Sequence, residues 1–441
     1  MFSALSRFLL TAALVVTGVV ARGDTGAAAP AAVPDPGGWD PPVTLGTSPG
    51  TYPSFDVAVA PDGSMTMALV EDGDLLLAQR PPGGGWGAPT TLVNNGTVNA
   101  VQAAYDDAGL LVVAWADSPD RTRLVSRHQL AGGAWTTDEV VATRATDEFW
   151  QLDLEVNGRG DVALGAVWLG PESAPVIVSQ RLADGDWATP ARFVAVRFDV
   201  ALGEVGPVAR TWTTWTDEVS TVRVARRPIG AGTWGPTTRL ARLTGATLPL
   251  GTTSATVDPT GTTTVAWRDR SEAGGWQLRA SRARKGQPFG PEVVVAAHAG
   301  VFDLAYSPPQ VLSSDAGDTL VLWMRTDGTL EAARRPAHGR WSQPVTVKPR
   351  TGVMPWAAAL DPGGRAVAVW IRGGWFGEPG HGVVASLMTR NGVWSVPANL
   401  TRRAEQVLEP VAAMRHGDAL AGWIRAVDTG HRYRAGTHLR P

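Results

Sequence analysis

The feature that most constrains this chain is a repeat of about fifty residues that recurs along its length. One half of each copy is a Trp-x-x-Pro-x-x-Leu string or a close variant, and successive copies start 47, 49, 52, 47, 55, 52 and 53 residues apart. The leading aromatic residues of these eight copies are Trp39, Trp86, Trp135, Trp187, Trp234, Phe289, Trp341 and Trp394. A fixed period of this size indicates an architecture built by stacking one supersecondary unit many times.

The other half of each copy reads as a strand, a tight turn and a second strand that ends in tryptophan. SATVDPTGTTTVAW ends at Trp267 and AAALDPGGRAVAVW ends at Trp370, and in both the tryptophan follows the turn glycine by six residues. The same spacing holds for Trp115, Trp323 and Trp423, and Leu69 takes this place in the first copy. The third copy, which ends at Trp168, reads as carrying a short insertion, and the fourth offers both Trp212 and Trp215.

These two halves together predict a β-propeller. Asp-Pro-x-Gly and Asp-Ala-Gly are turn sequences, and the flanking residues alternate with the period of two that marks strands. About fifty residues hold four short strands, and such a sheet buries both faces only when copies stack around an axis. We therefore expect an all-β chain with eight four-stranded blades, or seven if the divergent fourth copy does not form a blade.

The two ends of the repeat region predict how the ring closes. Residues 38–46 contain only the last strand of a blade, whereas 411–440 contain the first three strands and lack the fourth. The N-terminal strand is therefore expected to complete the C-terminal blade. An open array would instead leave an unpaired terminal strand, which is an aggregation hazard.

The first 37 residues predict export. Residues 1–21 carry one arginine, an apolar run and small residues before a cleavage position, as a secretory signal peptide does. Residues 22–37 are rich in Ala, Pro and Gly and read as a linker. Residues 38–441 then form a single propeller domain. We expect a secreted, extracellular protein with no transmembrane segment, because no later apolar run is long enough to span a bilayer.

Composition excludes several classes of function. The formal charge is −2, from 39 Lys and Arg against 41 Asp and Glu, so a basic field for nucleic acid is missing. The chain has no cysteine, which excludes disulfides, thiolate zinc sites and a cysteine nucleophile. Its seven histidines show no zinc spacing. We expect no cofactor, no metal and a monomer.

The hairpin that precedes Trp-x-x-Pro resembles that of sialidase-like propellers. ARRPAHGRWSQPVTV (333–347) and AQRPPGGGWGAPTTL (78–92) show it best. Members of that superfamily carry an Asp-box, Ser-x-Asp-x-Gly-x-Thr-Trp, at this hairpin, and the box is missing here. The Tyr/Phe-Arg-Ile-Pro motif of the sialidase arginine triad is also missing. The resemblance therefore implies the propeller fold and leaves the chemistry open, since fold alone does not give function.

Residues that break the repeat are the best candidates for a ligand site, because propeller ligands bind on loops that vary between blades. These candidates are Trp150 and Trp356, just before first strands, and Trp276 and Trp375, expected in loops between the second and third strands. The carboxylates Asp147, Glu148 and Glu378 accompany them. Exposed tryptophans beside carboxylates suit stacking on sugar rings. The alternative is that these rings fill gaps between blades. Arginines that recur near the end of the third strand (Arg80, Arg127, Arg181, Arg227 and Arg335) are interpreted as part of the packing of the repeat.

Three functions remain open at this point. The first, which we favour, is a secreted binding module for a glycan, a protein or another cell-envelope ligand, without catalysis. The second is a sialidase-like glycoside hydrolase with a diverged active site. The third is a structural scaffold at the cell surface.

Overall fold

A computed structural model shows an all-β chain. The described residues hold 32 strands, and no helix occurs among them. The structure describes residues 38–48, 54–118, 122–130, 133–144, 149–168, 175–204, 207–216, 219–228, 230–244, 253–270, 275–298, 308–325, 327–349, 355–372, 382–401, 405–427 and 430–439. The expected signal peptide and linker, residues 1–37, lie outside this set.

The strands form eight antiparallel four-stranded sheets, which are the eight expected blades. Blade 1 has β2 (Phe55–Val59), β3 (Met65–Glu71), β4 (Asp74–Arg80) and β5 (Thr90–Val93); blade 2 has β6 (Val98–Tyr105), β7 (Leu111–Asp117), β8 (Thr122–His128) and β9 (Glu139–Arg144); blade 3 has β10 (Phe149–Val156), β11 (Val162–Trp168), β12 (Pro175–Arg181) and β13 (Ala191–Val194); blade 4 has β14 (Arg197–Leu202), β15 (Pro207–Thr216), β16 (Val219–Pro228) and β17 (Thr238–Thr244). Blade 5 has β18 (Thr253–Val257), β19 (Thr263–Arg270), β20 (Trp276–Ala283) and β21 (Val293–His298); blade 6 has β22 (Gln310–Ser313), β23 (Thr319–Met324), β24 (Leu330–Arg335) and β25 (Val345–Lys348); blade 7 has β26 (Trp356–Leu360), β27 (Ala366–Arg372), β28 (Gly382–Met388) and β29 (Ala398–Asn399); blade 8 has β30 (Val407–Arg415), β31 (Asp418–Val427), β32 (Gly430–His438) and β1 (Val43–Ser48).

The first strands of the blades surround the axis of the ring. Each of them contacts the first strand of the next blade, and the circle closes through β30 and β2. The turn between the first and second strands and the hairpin between the third and fourth lie on one face, which we call the hairpin face. The connections between blades and between the second and third strands lie on the opposite face.

Turn chemistry sets the ends of the first two strands. In blade 5 the Asp258 carboxylate accepts hydrogen bonds from the backbone N–H groups of Thr260 and Thr262, at 3.0 and 2.9 Å. Gly261 follows with a φ of +81°, which a residue with a side chain rarely adopts. The same Asp-Pro-x-Gly string therefore makes the same turn in each copy that carries it.

Ring closure is confirmed and is non-covalent. Strand β1 pairs antiparallel with β32, and Trp39 forms a further bridge to His438, with ring centroids 5.6 Å apart. Asp40 donates its backbone N–H to the carbonyl of Thr437 at 2.7 Å. Its carboxylate lies 3.0 Å from the guanidinium of Arg80 in blade 1. The segment at the start of the propeller thus ties the last blade to the first.

The hydrophobic core lies in the eight seams between blades. Each seam holds one apolar cluster and one leading aromatic of the Trp-x-x-Pro string: Trp86, Trp135, Trp187, Trp234, Phe289, Trp341, Trp394 and Trp39. The tryptophans that end the second strands are fully buried at Trp115, Trp267, Trp323 and Trp423. The two halves of the repeat therefore supply the inner and outer parts of each seam.

Strand register corrects two details of the sequence interpretation. Blade 3 has no insertion, because Ala166 pairs with Leu152 as Leu69 pairs with Phe55 in blade 1, and Trp168 simply lies two residues further on. Blade 4 is complete, which removes the alternative of seven blades. Of its two tryptophans, Trp212 holds the place of the strand-ending ring.

In two of the seams a glycine on one blade leaves room for a large ring on the next blade. Gly165 lies on the second strand of blade 3, and a β-carbon there would stand 2.3 Å from Phe198 of blade 4. Gly422 of blade 8 faces Phe55 of blade 1 in the same way, at 2.9 Å. Where the facing residue is smaller, as with Val101 in blade 2, the equivalent position holds Ala68.

We predict that Gly165→Ala lowers the free energy of unfolding by about 1–3 kcal/mol, because overfilling a packed core forces its neighbours to move. Denaturant unfolding measures the change. Gly232→Ala is the control, since no atom lies within 4 Å of a β-carbon there. Gly165→Ala combined with Phe198→Leu should recover most of the loss. Equal stability of Gly165→Ala and the control would contradict this packing.

Candidate ligand-binding site

For most of the site residues expected from sequence, the side chain lies outside the described part of the structure. Asp147, Glu148, Trp375 and Glu378 are outside the described residues. Trp150 lies in β10, and only its backbone is described. Ligand contact by these five residues stays a prediction.

The two described candidates, Trp276 and Trp356, are buried. Trp276 is the first residue of β20 and not part of a loop, and its side chain is 3% exposed. It stacks on His298 with centroids 4.5 Å apart, and the guanidinium of Arg268 lies 5.6 Å from its ring. Trp356 begins β26 and is 6% exposed, packed in the seam between blades 6 and 7. This placement fits the alternative in which the rings fill gaps between blades.

The recurrent arginines mostly cap hairpins. Arg227 donates to the carbonyl of Ala231, and Arg335 donates to the carbonyl of Ala337 at 3.3 Å. Arg80 and Arg181 bond the carbonyls of their own hairpins in the same way. Arg127 differs, because its guanidinium lies 5.7 Å from the ring of Trp115 and pairs with Asp138.

The central channel is held by polar side chains that sequence analysis missed. A first strand is an edge strand, so every second backbone N–H points at the channel without a sheet partner. In five seams a side chain of the preceding blade accepts that hydrogen bond. The acceptors are Asp56, Asp153, Asp199, Ser254 and Gln310, and the donors are the N–H groups of Ala103, Val200, Ala255, Val311 and Ala358. All five acceptors stand seven residues before the turn glycine. Aligning the repeats at the turn glycine would have shown that this position is polar in these five copies.

Three carboxyl groups crowd together in the channel at blades 3 and 4. Burial, and then the charges of Asp199 and Glu155, holds the pKa of Asp153 well above its usual range. Burial raises the pKa of Asp199 to about 6. Glu155 has solvent-exposed surface but is closely surrounded by protein atoms, and this desolvation together with the charge of Asp199 raises its pKa to about 8. At neutral pH this cluster therefore keeps protons that free carboxyl groups would release.

A cavity of about 240 Å³ opens from the channel on the hairpin face. Its polar lining comes from Glu155, Glu204, Thr256, Ser313 and Asp315, which belong to four different blades. Among the residues with described positions, no group of three or more His, Cys, Asp or Glu could hold a metal ion.

A second cavity of about 280 Å³ lies between blades 6 and 7, also on the hairpin face. We call it the 6/7 groove. Trp394 forms one wall with a half-buried ring, and the exposed amides of Asn391 and Gln343 lie at the opening. Arg334 is fixed inside by hydrogen bonds to the carboxylate of Asp318 and the carbonyl of Arg390. The groove thus combines an aromatic surface with several hydrogen-bonding groups.

Seven of the eight leading aromatics are half-buried like Trp394, and Trp39 alone is buried. Trp187 shows how such a ring is oriented, since its indole N–H donates to the hydroxyl of Ser126 in the preceding blade at 2.9 Å. The repeat therefore places one partly exposed ring at the outer edge of most seams.

Comparison with known proteins gives the fold. No family model and no curated protein sequence matches the chain. Among solved structures, the BP39L lectin from Burkholderia pseudomallei is similar over 81% of this chain and 100% of its own, with 14% identity and a TM-score of 0.52. A puromycin hydrolase mutant is similar over 84% of this chain and 58% of its own, with 15% identity and a TM-score of 0.49. Virginiamycin B lyase from Staphylococcus aureus is similar over 90% of this chain and 98% of its own, with 8% identity and a TM-score of 0.41.

The part of the chain that the structure describes has no helix that is both long and apolar enough to cross a membrane.

We predict that the melting temperature falls as the pH rises from 5 to 8. Carboxyl groups whose pKa is raised by folding bind protons more tightly in the folded state, so stability is lost as the pH climbs toward the folded pKa. Calorimetry at several pH values measures the trend, and Glu155→Gln should reduce it. Asp184→Asn, a change at an exposed hairpin carboxylate, should leave it intact. A melting temperature that rises from pH 5 to pH 8 would have the opposite sign and would contradict the raised pKa values of the channel carboxyl groups.

Proposed function

We propose that this chain is a secreted saccharide-binding propeller without catalysis, and that its ligand sites are the grooves between blades on the hairpin face. The 6/7 groove carries the proposal. Saccharides present apolar C–H faces and a rim of hydroxyls, and aromatic rings beside a few fixed polar groups match that chemistry.

The groups of the 6/7 groove are suitably arranged for such a ligand. The ring of Trp394 packs against the apolar seam between blades 6 and 7, so its position is held by the core. Arg334 is already fixed by Asp318 and Arg390, which reduces the ordering cost of binding. The amides of Asn391 and Gln343 supply both donors and acceptors for hydroxyl groups.

Repetition of the seams supports the same proposal. A half-buried leading aromatic recurs in seven seams, so related grooves can engage several sugar units of one polymer or surface. Linked sites bind far more tightly together than singly. The likeness to a lectin, which extends over the whole of that lectin, concerns the fold, and it is consistent with this use.

A glycoside hydrolase is the second candidate, favoured by the protonated carboxyls in the channel and by the sialidase-like resemblance of the hairpins. However, Asp153 and Asp199 are hydrogen bonded to each other, whereas glycosidases hold their two carboxyls roughly 5–9 Å apart. Both also accept a backbone N–H from the next blade. These contacts favour a structural role for the pair.

The test uses a glycan array to find a saccharide that binds, followed by titration calorimetry. We expect Asn391→Ala and Gln343→Ala to weaken binding about three- to tenfold each, because each removes a hydrogen-bonding group. Val396→Ala, at a fully exposed residue of the same hairpin region outside the groove, is the control.

Two results would contradict the proposal. The first is the absence of binding to any saccharide on the array. The second is turnover of a chromogenic glycoside that Glu155→Gln abolishes, which would favour the hydrolase.

A further inference from the structure

One arginine stands where the repeat otherwise places a core residue. Arg210 lies on the second strand of blade 4, four residues after the turn glycine. The equivalent residues of the other blades are all apolar: Met67, Val113, Leu164, Val265, Val321, Ala368 and Ala421. A guanidinium therefore occupies a place that seven sister blades fill with hydrocarbon.

Aromatic rings surround this guanidinium. Its central carbon lies 4.3 Å from the ring of Trp234, 4.5 Å from Phe193 and 5.2 Å from Trp212. The side chain is 9% exposed, and its Nε and Nη1 atoms have no hydrogen-bond partner. Ring faces stabilise a cation, but they leave N–H donors unsatisfied, and this is costly in a buried position.

The same face of blade 4 is rich in arginine. Arg223 pairs with Trp212 across the strands, and Arg227 pairs with Val208, so both point to the seam with blade 3 together with Arg210. The Nε of Arg223 is also buried without a partner. Arg227 bonds a hairpin carbonyl, and no ion pair to a carboxylate is found for any of these three arginines in the described residues. Among the described residues, this seam therefore holds positive charge without a protein counter-ion.

We propose that the seam between blades 3 and 4 is a binding site for the carboxylate of an acidic saccharide, with Arg210 as its anchor. The rings of Trp234 and Phe193 are half-buried in this seam, and a partly exposed ring suits the apolar face of a sugar. A carboxylate accepts charge-assisted hydrogen bonds from a guanidinium and so suits an unsatisfied donor of Arg210, Nε or Nη1. This inference rests on the proposed saccharide binding and names an acidic class of ligand for one seam.

The test titrates the purified protein with glucuronate, with glucose as the neutral match and with acetate as a carboxylate that lacks the sugar. We expect glucuronate to bind at least tenfold more tightly than glucose or acetate. Arg210→Met, which restores the residue type of blade 1, should keep the fold by circular dichroism and reduce glucuronate affinity at least tenfold. Arg210→Lys should lose part of the affinity, because an ammonium lacks the rigid, planar set of N–H donors of a guanidinium.

Arg226→Met is the matched control. Arg226 lies on the opposite face of the same blade, with its guanidinium 5.0 Å from the ring of Phe289 and bonded to the carbonyls of Arg284 and Gln287. Its loss should leave glucuronate binding unchanged, although it removes the same charge from the protein.

The outcomes separate this inference from the proposed function. Saccharide binding that is lost in the 6/7 groove variants but unaffected by Arg210→Met would overturn the inference alone. Equal affinity for acetate and glucuronate would overturn the saccharide part of it. Glucuronate binding that depends on Arg210, with neutral saccharides failing to bind, would support the inference and overturn the 6/7 groove. Absence of binding to any of these ligands would overturn both.

Discussion

A four-stranded sheet with two apolar faces and an unpaired inner edge is stable only when neighbours cover all three surfaces, and this requirement organises the whole molecule. The faces are covered by seams that each hold a leading aromatic of the Trp-x-x-Pro string, and six of them also hold a strand-ending tryptophan. The inner edge is covered by side chains such as Asp56 and Gln310, which accept the free amides of the next blade. Every blade thus depends on the one beside it, and the ring is the shape in which none lacks a neighbour.

All seams pack two equivalent sheets against each other. Positions where one seam has a different type of residue therefore indicate where a function is located. Most of the seams are apolar, and some show matched residue sizes such as Gly165 opposite Phe198. The seam between blades 3 and 4 departs from this pattern by holding the unpaired guanidinium of Arg210. The central channel also differs from the apolar seams, because it contains carboxyl groups that keep protons near neutral pH. Burying the unpaired guanidinium of Arg210 costs stability, which is typical of residues that serve binding.

The sequence predicted the parts of the fold that depend on local repetition. Turn glycines and paired tryptophans indicated eight blades, and the missing fourth strand after residue 411 indicated closure by β1. Trp276 was misassigned to a loop because a glycine pair precedes it, whereas it is the buried first residue of β20. The channel acceptors escaped notice because their partners lie about fifty residues away in the next blade, a distance at which no local pattern reports a hydrogen bond. Arg210 could have been found by aligning the copies, but its lack of partners appears only in three dimensions.

Closure by β1 and β32 has a consequence for the order of folding. The strand at residues 43–48 is synthesised long before its partner at 430–438. During translation the first seven sheets can assemble one after another, while this early strand waits with its backbone donors and acceptors open to wrong pairing. Contacts of such large sequence separation are slow to form. The final pairing is therefore expected to limit the folding rate, and chaperones that shield an extended segment near the N-terminus would increase the yield of native rings.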